Sequence, residues 1–296
     1  MPERRVVVSG ASGLIGRALV ASLEADGVAV TTLVRREPMA PREVQWDPGR
    51  APLDPEVLRG AEAVVNLNGA SIGRFPWTQS YRKTLLWSRI HPTQTLATAL
   101  RELGDDAPHF VSSSAVGYYP PDAAGERFDE SGARGDAFLS DLCGEWEAAA
   151  MAAGGRVALL RTAPVVHRDG VLKPLMLLTK LGLSGPIGSG TQTWPWISLD
   201  DEVGAIRHVI DHGITGPVNL SGPVRATAND LGFALARRMG RPFILRAPLF
   251  ALRLVLGKDA VEALLANDVF VVPSVLESTG FAFRHPTVED AVDAAV

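Results

Sequence analysis

The sequence is poor in cysteine, with only Cys143 among 296 residues. A single cysteine excludes a disulfide within the chain and is typical of proteins in a reducing compartment, so we expect a cytoplasmic protein. Cys143 stands in an apolar helical stripe with no histidine close by in the sequence. This setting predicts a small buried side chain rather than a nucleophile.

The sequence also lacks long apolar runs and long runs of one charge. No run approaches the roughly 18 apolar residues that a membrane span needs, and the stretch MPERRVVVSG has no signal-peptide core. Basic residues cluster only in pairs such as Arg35 with Arg36 and Arg237 with Arg238, and the formal net charge is −4. We therefore expect neither a membrane nor a nucleic acid as a partner.

What the sequence does contain is a regular alternation of strand-like and helix-like segments over residues 1–165. Apolar, β-branched runs predict strands at residues 4–10, 28–36, 61–70, 108–115 and 156–166. Amphipathic periodicity predicts helices between them at residues 14–27, 79–103 and 136–155. This alternation indicates an α/β fold, with a doubly wound parallel sheet of the Rossmann type covered by helices on both faces.

After Pro164 the composition changes to glycine, proline and tryptophan, in GLSGPIGSGTQTWPWISLDD, with helical segments around 201–213, 227–239 and 247–266. We expect an NADP-binding Rossmann domain and a small C-terminal substrate domain. The first comprises residues 1–165, with 195–218 returning to it, and the second comprises 166–194 and 219–296. Trp194 and Trp196 stand at the junction, where they either line a ligand cleft or anchor the returning strand.

Gly10, Gly13 and Gly16 form a G-x-x-G-x-x-G motif between a predicted strand and a predicted helix. In that context the glycines allow a tight turn and bring backbone N–H groups and the helix N-terminus against a pyrophosphate. Ser12 adds a hydroxyl that can contact a phosphate. The alternative is that the glycines serve only close packing of the helix on the sheet.

The second predicted strand ends in Arg35 and Arg36. A site built for NAD places Asp or Glu on the adenosine ribose at this distance from the glycines. Two guanidiniums suit a 2′-phosphate instead, because each offers a planar fork of donors to an oxyanion. The pair therefore predicts NADP(H) as the cofactor, and the alternative is a solvated pair of surface arginines.

The stretch NLNGASIG, residues 66–73, ends another strand with small residues that let a ribose and phosphates approach. On the following helix, Arg89 either turns inward to the phosphates or is an ordinary solvated residue. The residues that we predict to bind the cofactor are Gly10, Ser12, Gly13, Leu14, Ile15, Gly16, Arg35, Arg36, Leu67, Asn68, Gly69, Ala70, Arg89, Ser112 and Val165.

With SGASGLIG and VVNLNGASI, the stretches FVSSSAVGYY and WISLDD resemble an extended short-chain dehydrogenase/reductase. Residues 178–201 and 264–292 are similar to the atypical subgroup of epimerase-family proteins, the SulA-type nucleoside-diphosphate-sugar epimerases. The resemblance covers nearly the whole chain. It implies an NADP-binding Rossmann fold with a small C-terminal domain, and only loosely an activity, because fold does not establish chemistry.

The resemblance also implies a catalytic serine, a tyrosine as general acid/base and a lysine four residues after the tyrosine. Ser114 matches the serine, but Phe138 and Leu142 stand in the places of the tyrosine and the lysine, which predicts an apolar wall at the nicotinamide. Tyr118 is the candidate for a replacement proton donor, and its alternative role is to shape the substrate pocket. The candidate catalytic residues are therefore Ser114 and Tyr118.

Other polar groups are weaker candidates. Arg161, Asp141 and Glu145 are expected to be structural or surface groups. His208 and His212 have a spacing that can share a metal ion, but no third ligand is obvious, so we expect a solvated helix face and no metal site.

Two functions remain open. The first is an NADP(H)-dependent oxidoreductase or epimerase-like enzyme that acts on a small or sugar-like substrate. The second is a non-catalytic NADPH-binding regulatory or sensor protein whose conformation is recognised by a protein partner. The missing tyrosine and lysine favour the second function, whereas the retained serine and the two tyrosines that follow it favour the first.

Overall fold

The computed structural model describes residues 4–296 and is built around a parallel β-sheet. The strands are β1 (Arg5–Ser9), β2 (Ala29–Val34), β3 (Glu43–Gln45), β4 (Ala63–Asn66), β5 (His109–Ala115), β6 (Asp122–Phe128), β7 (Val157–Thr162), β8 (Val165–Val166), β9 (Ile197–Ser198), β10 (Gly216–Leu220) and β11 (Asp268–Val271). The α-helices are α1 (Leu14–Ala25), α2 (Gln79–Leu103), α3 (Phe138–Met151), α4 (Leu172–Lys180), α5 (Leu199–His212), α6 (Ala228–Arg238), α7 (Leu249–Leu256), α8 (Lys258–Leu264), α9 (Ser274–Ser278) and α10 (Val288–Ala295).

Seven of these strands form the main sheet, in the order β10-β7-β5-β4-β1-β2-β3, and every neighbouring pair is parallel. The chain order reverses between β1 and β4. This is the switch point at which α/β sheets bind ligands, beyond the carboxyl ends of the strands. The expected α/β fold of the Rossmann type is therefore confirmed.

Both faces of the sheet are buried, which explains why its central strands read as continuous apolar runs. Val6 and Val8 of β1 face one cluster, which also contains apolar residues of α1 and α5. Val7 faces the other cluster, with apolar residues of α2 and α3. All three valines are fully buried. The alternation along one strand thus places helices on both sides of the sheet.

The C-terminal helices have a cluster of their own. Leu231 and Leu235 of α6 pack with Val288 and Val292 of α10, and the indole of Trp196 belongs to the same cluster. Both of these helices begin with a capping box, formed by Thr and Asp three residues apart. Within residues 4–296, no helix is both long enough and apolar enough to cross a membrane.

Three segments differ from the sequence-based expectations. The predicted helix at 247–266 is divided into α7 and α8 at Gly257, whose φ is +91°. The run 156–166 forms two strands, because Pro164 has no N–H with which to continue the ladder. The strand expected to return to the main sheet near residue 195 pairs with β8 outside it, and β10 supplies the edge strand of the sheet instead.

Candidate functional site

The turn between β1 and α1 requires two of its glycines. Gly10 has a φ of +79°, and a Cβ there would lie 2.6 Å from the carbonyl carbon of Leu67. A Cβ on Gly16 would lie 2.4 Å from the carbonyl oxygen of Gly10. Both distances are below contact distance, so a larger residue at Gly10 would push the turn away from the segment after β4, and one at Gly16 would push α1 away from the turn. The turn has the shape that the sequence predicts, and its close packing explains the glycines by itself.

The N-terminus of α1 is open to a ligand. Its N-cap is Gly13, which offers no side-chain cap, and its first turn carries no acidic residue. The first N–H groups of an α-helix, here those of Leu14 and Ile15, have no partner within the helix. The helix dipole adds partial positive charge at the same place. Together with the exposed Ser12, these groups form a cradle suited to an anion.

A buried polar network joins the carboxyl ends of β1 and β4 to the middle of β5. Ser9, Asn66 and Ser112 lie side by side in the sheet register, and all three are fully buried. The Nδ2 of Asn66 donates to the hydroxyl of Ser112 at 3.2 Å, and the hydroxyl of Ser9 donates to the Oδ1 of Asn66 at 3.2 Å. Asn68 extends the network by donating to Ser9 at 2.7 Å. Asn68 and Ser112, both predicted cofactor contacts, thus use their side chains to fix the strand ends.

The same network reaches the helices through Thr93 on α2. The Thr93 hydroxyl accepts hydrogen bonds from the Nδ2 of Asn66 at 2.8 Å and from the indole N–H of Trp146 at 2.9 Å. Sequence reasoning missed Ser9, Asn66 and Thr93. Polar residues at the ends of two apolar strands were the available signal for the first two.

Arg89 is buried, with 9% of its surface exposed, so the solvated alternative is wrong. Its guanidinium donates to the carbonyl oxygens of Leu85 at 2.9 Å and Ala70 at 3.1 Å, and its Cζ lies 5.2 Å from the ring centre of Trp146. Burial lowers the pKa of Arg89, and within residues 4–296 no carboxylate pairs with it. The charge lies directly beside Gly69, where a Cβ would be 3.1 Å from the Arg89 Cζ.

The two arginines at the end of β2 differ from one another. Both are exposed, but Arg36 forms a bidentate ion pair with Glu43, with N–O distances of 2.8 Å and 2.5 Å. Arg36, followed by the backbone N–H of Met39, lowers the pKa of the Glu43 carboxyl to about 2. In the described part of the chain, Arg35 has no hydrogen-bonding or ionic partner. Two free guanidiniums were expected. Among the described residues, that of Arg35 is free, whereas that of Arg36 is bound by the Glu43 carboxylate.

Ser114 is part of a buried ion-pair network. Its hydroxyl donates to the Oε1 of Glu147 at 2.7 Å, and that carboxylate also accepts from the Nε of Arg161 at 2.9 Å and from its Nη2 at 3.0 Å. The Nη1 of Arg161 donates to the hydroxyl of Tyr119 at 3.0 Å. Ser114, Glu147 and Arg161 are all less than one-tenth exposed. Arg161 is therefore structural, as expected, while its partner Glu147 was not identified from the sequence.

The two adjacent tyrosines have different environments. Tyr119 is buried, and its hydroxyl lies 2.7 Å from the Oδ1 of Asn219 and 2.8 Å from the carbonyl oxygen of Asp129. Tyr118 is half-buried, and its ring lies 3.6 Å from the Cζ of Arg161. Within residues 4–296, the Tyr118 hydroxyl has no hydrogen-bond partner. Of the two phenols, only that of Tyr118 is thus free to act on a ligand.

The wall formed by Phe138 and Leu142 is apolar, in agreement with the sequence. Phe138 is the first residue of α3, and its ring centre lies 5.9 Å from that of Trp77. Leu142 and Cys143 are buried in the same cluster. Burial raises the pKa of the Cys143 thiol to about 12, which is consistent with a packing role and not with a nucleophile.

Glu202 is a buried acid that the sequence reasoning missed. It is fully buried at the start of α5, and its Oε1 accepts a hydrogen bond from Thr162, at the end of β7, at 2.9 Å. Its Oε2 has no partner in the described part of the chain. Burial raises the pKa of Glu202 to about 8. The available signal was its helical spacing from Ala205, Ile206 and Val209, which form the inward face of α5.

The remaining candidates lie in other surroundings. The rings of His208 and His212 are 4.0 Å apart, beside a cavity of about 470 Å³ between α1, α5 and residues 280–284. Among residues 4–296, no group of three or more histidine, cysteine or acidic side chains is placed to hold a metal ion. The indoles of Trp194 and Trp196 are buried and donate to backbone carbonyls, which favours anchoring over lining a cleft.

The other predicted residues are surface or strand positions. Asp141 and Glu145 lie on the exposed side of α3, and Asp141 is 3.6 Å from Arg134. Val165 is half-buried in β8, paired with Ile197.

Comparison with known proteins extends over nearly the whole chain. Residues 6–220 match the model of the NAD dependent epimerase/dehydratase family, and residues 247–295 match a domain of unknown function. An epimerase family protein of Mycobacterium leprae is 39% identical over 98% of this chain and 95% of its own length. The epimerase family protein SDR39U1 of Bos taurus is 34% identical over 99% of both chains.

Solved structures show the same similarity. The crystal structure of the human epimerase family protein SDR39U1 with NADPH has a TM-score of 0.88 and 31% identity, covering 98% of both chains. A nucleoside-diphosphate sugar epimerase from Corynebacterium glutamicum has a TM-score of 0.78 and 29% identity, over 99% of this chain and 59% of that one. NADPH, named with the human structure, is the reduced form of the cofactor that the sequence predicts.

Proposed function

Because this chain belongs to the NAD dependent epimerase/dehydratase family, we propose that it binds NADP(H) and acts as an oxidoreductase or epimerase-like enzyme on a small or sugar-like molecule. The observation that carries the catalytic part is the free phenol of Tyr118, beside the network of Ser114 and Arg161. NADPH supplies a hydride when it is bound. A phenol that is not consumed by structural hydrogen bonds is available to transfer the accompanying proton.

The cofactor assignment is supported by three groups on the carboxyl side of the sheet. The open N-terminus of α1 offers N–H groups to a pyrophosphate. Arg89 is a buried cation without a carboxylate partner in the described part of the chain, and an anionic ligand would offset its charge. Arg35 offers a free guanidinium for a 2′-phosphate, as in the human relative's cofactor NADPH. Leu67, Gly69 and Ala70 complete the proposed crevice.

Ser114 has a more limited role in this proposal than its counterpart in the wider family. Its proton is donated to Glu147, so the hydroxyl has only its lone pairs for a ligand. It can accept a hydrogen bond from a substrate hydroxyl, but it donates to a carbonyl only by releasing Glu147. Substrate binding would fall to residues 166–194 and 219–296, which we assign to a small substrate domain.

A second function has its own support. The apolar pair Phe138 and Leu142, together with the engaged hydroxyl of Ser114, fits a protein that binds NADPH without using it. Such a protein would act through a partner that recognises the loaded form. In both cases the single cysteine supports a cytoplasmic location.

One experiment separates the two functions. Purified protein is incubated with NADPH and a panel of small aldehydes, ketones and nucleotide sugars, and absorbance at the reduced nicotinamide band is followed. Consumption that depends on a panel member, and that is lost in Tyr118→Phe, supports the enzyme. Tight NADPH binding supports the sensor if no panel member causes consumption and if, with NADP⁺ in place of NADPH, no nucleotide sugar is epimerised.

A further inference from the structure

The surface of the C-terminal region carries an unusual number of exposed apolar side chains. They range from 43% exposed at Leu178 to 88% at Leu254. Soluble monomers rarely expose large contiguous apolar surfaces unless these bind something. We call the following residues the apolar patch: Leu177, Leu178, Leu181, Leu183, Ile244, Leu245, Phe250 and Leu254.

The two segments that form the apolar patch are held together by the backbone. The N–H groups of Ile244 and Leu245 both donate to the carbonyl oxygen of Ser184 at 3.0 Å. Three residues further on, the N–H of Ala247 donates to the carbonyl oxygen of Pro186 at 2.8 Å. The end of α4 and the start of α7 therefore lie in one region of the surface.

Within α7, the exposed side chains share one face. Phe250 and Leu254 are four residues apart, which is one helical turn, and they are 74% and 88% exposed. Leu249 points the other way, toward Gly188. A Cβ added to Gly188 would lie 3.0 Å from the Leu249 side chain. The helix is thus anchored on its inner face and presents an apolar outer face.

The charged residues of the two segments that form the apolar patch are all basic. Residues 170–199 and 231–258 contain no Asp or Glu, although the formal charge of the whole chain is −4. Two of their basic residues have carboxylate partners, namely Arg253 with Glu262 and Arg238 with Asp293. All the basic residues of these two segments are exposed: Lys173, Lys180, Arg237, Arg238, Arg241, Arg246, Arg253 and Lys258.

We propose that the apolar patch binds peripherally to an anionic lipid bilayer. Leucine and phenylalanine side chains enter the boundary between headgroups and acyl chains, while the surrounding lysines and arginines contact lipid phosphates. A second copy of the chain fits less well, because the basic residues of both copies would meet. Nucleic acid would use the positive charge but leave the exposed leucines in water. The expectation of no membrane partner rested on spanning segments, which peripheral binding does not need.

The test uses the full chain and flotation with vesicles. Vesicles of phosphatidylcholine alone are compared with vesicles in which a third of the lipid is phosphatidylglycerol. We expect binding to the anionic vesicles and little to the neutral ones. The double variant Phe250→Ser/Leu254→Ser should reduce the affinity at least about tenfold, since two inserted side chains are lost. Arg241→Glu/Arg246→Glu should have a similar effect.

The matched control is Met39→Ser, which removes a side chain that is 82% exposed outside the apolar patch and should bind like the native chain. Because all these positions are exposed, thermal unfolding should be unchanged in each variant. Failure to float with the anionic vesicles would overturn the proposal, as would equal binding by the double serine variant. If the chain does not bind vesicles but forms a dimer that Phe250→Ser/Leu254→Ser converts to monomers, the apolar patch binds a second copy of the chain instead. If it does not bind vesicles but binds an oligonucleotide, the partner is a nucleic acid.

Discussion

The hydroxyl of Ser114 donates a hydrogen bond of 2.7 Å to the Glu147 carboxylate, across the space between β5 and α3. The same carboxylate neutralises Arg161, which is 4% exposed. The position that resembles a catalytic serine is thus tied to a buried ion pair. Stability and any contact of Ser114 with a substrate therefore depend on the same three side chains.

The first prediction concerns that ion pair. Glu147→Gln should lower the free energy of unfolding by about 3–5 kcal/mol, because it leaves the buried charge of Arg161 without compensation. Chemical denaturation of the purified variant measures this loss. Glu145→Gln is the control, since Glu145 is exposed on the same helix, and it should be close to neutral. If both variants unfold alike, the ion pair does not stabilise the fold.

The second prediction distinguishes the two tyrosines. Tyr118→Phe removes a phenol that has no hydrogen bond to the residues that the structure describes, so it should preserve stability and NADPH affinity while lowering turnover by about 10²- to 10⁴-fold. Tyr119→Phe should instead destabilise the fold, because Arg161 and Asn219 lose a hydrogen-bond partner. Turnover and thermal unfolding of both variants are the measurements. Full turnover by Tyr118→Phe on an identified substrate would remove Tyr118 from the mechanism.

The third prediction concerns cofactor choice. Arg35→Ala should reduce the preference for NADPH over NADH by about tenfold to a hundredfold, because a charge-assisted contact to the 2′-phosphate is lost. Arg36→Ala should have a smaller effect, since that guanidinium is paired with Glu43. Glu43→Gln should raise the preference by weakening the pair and freeing Arg36. Binding of NADPH is titrated in each variant, with NADH as the internal control. Equal affinity of the native chain for both cofactors would contradict the assignment.

The sequence was most informative about features that depend on residues close together in the chain. The predicted span of α2, residues 79–103, matches the structure at both ends, where Thr78 caps its start and Gly104, with a φ of +58°, ends it. Gly10 and Gly16 were identified because close backbone approach excludes larger residues. Strands were expected near residues 165 and 195, but the pairing of β8 with β9 outside the main sheet was not, since strands of two residues carry no periodicity.

The site was least predictable where the partners come from different elements of the fold. Asn66 and Thr93 are 27 residues apart, and Ser114 and Glu147 are 33 apart, so nothing local links them. The pairing of Arg36 with Glu43 depends on β3, a strand of only three residues. Side-chain roles that depend on such contacts are not visible in the sequence. Ser112 was expected to contact the cofactor and belongs to a polar network, and Arg89 is a buried cation.

The fourth prediction follows from Glu202. Its pKa is raised to about 8 in the folded protein, whereas an unfolded glutamate ionises near about 4.3. Between these values the folded chain retains a proton that the unfolded chain releases, so the free energy of unfolding falls as pH rises, by up to about 1.4 kcal/mol per pH unit. The fall should end above the folded pKa.

Ionisation of His109 makes the free energy of unfolding rise with pH, at lower pH values than the Glu202 effect. Burial lowers its pKa to about 4, so between that value and about 6.5 the unfolded chain binds the extra proton and stability rises with pH. The window from about pH 6.5 to 8 therefore separates the Glu202 effect from the His109 effect. In that window Glu202→Gln should make stability nearly independent of pH, because the amide still accepts from Thr162 but does not ionise. Glu277→Gln, at an exposed position, is the control and should keep the native slope. Denaturant unfolding at several pH values measures the slopes. If the free energy of unfolding of the native chain does not fall in this window, burial does not raise the pKa of Glu202.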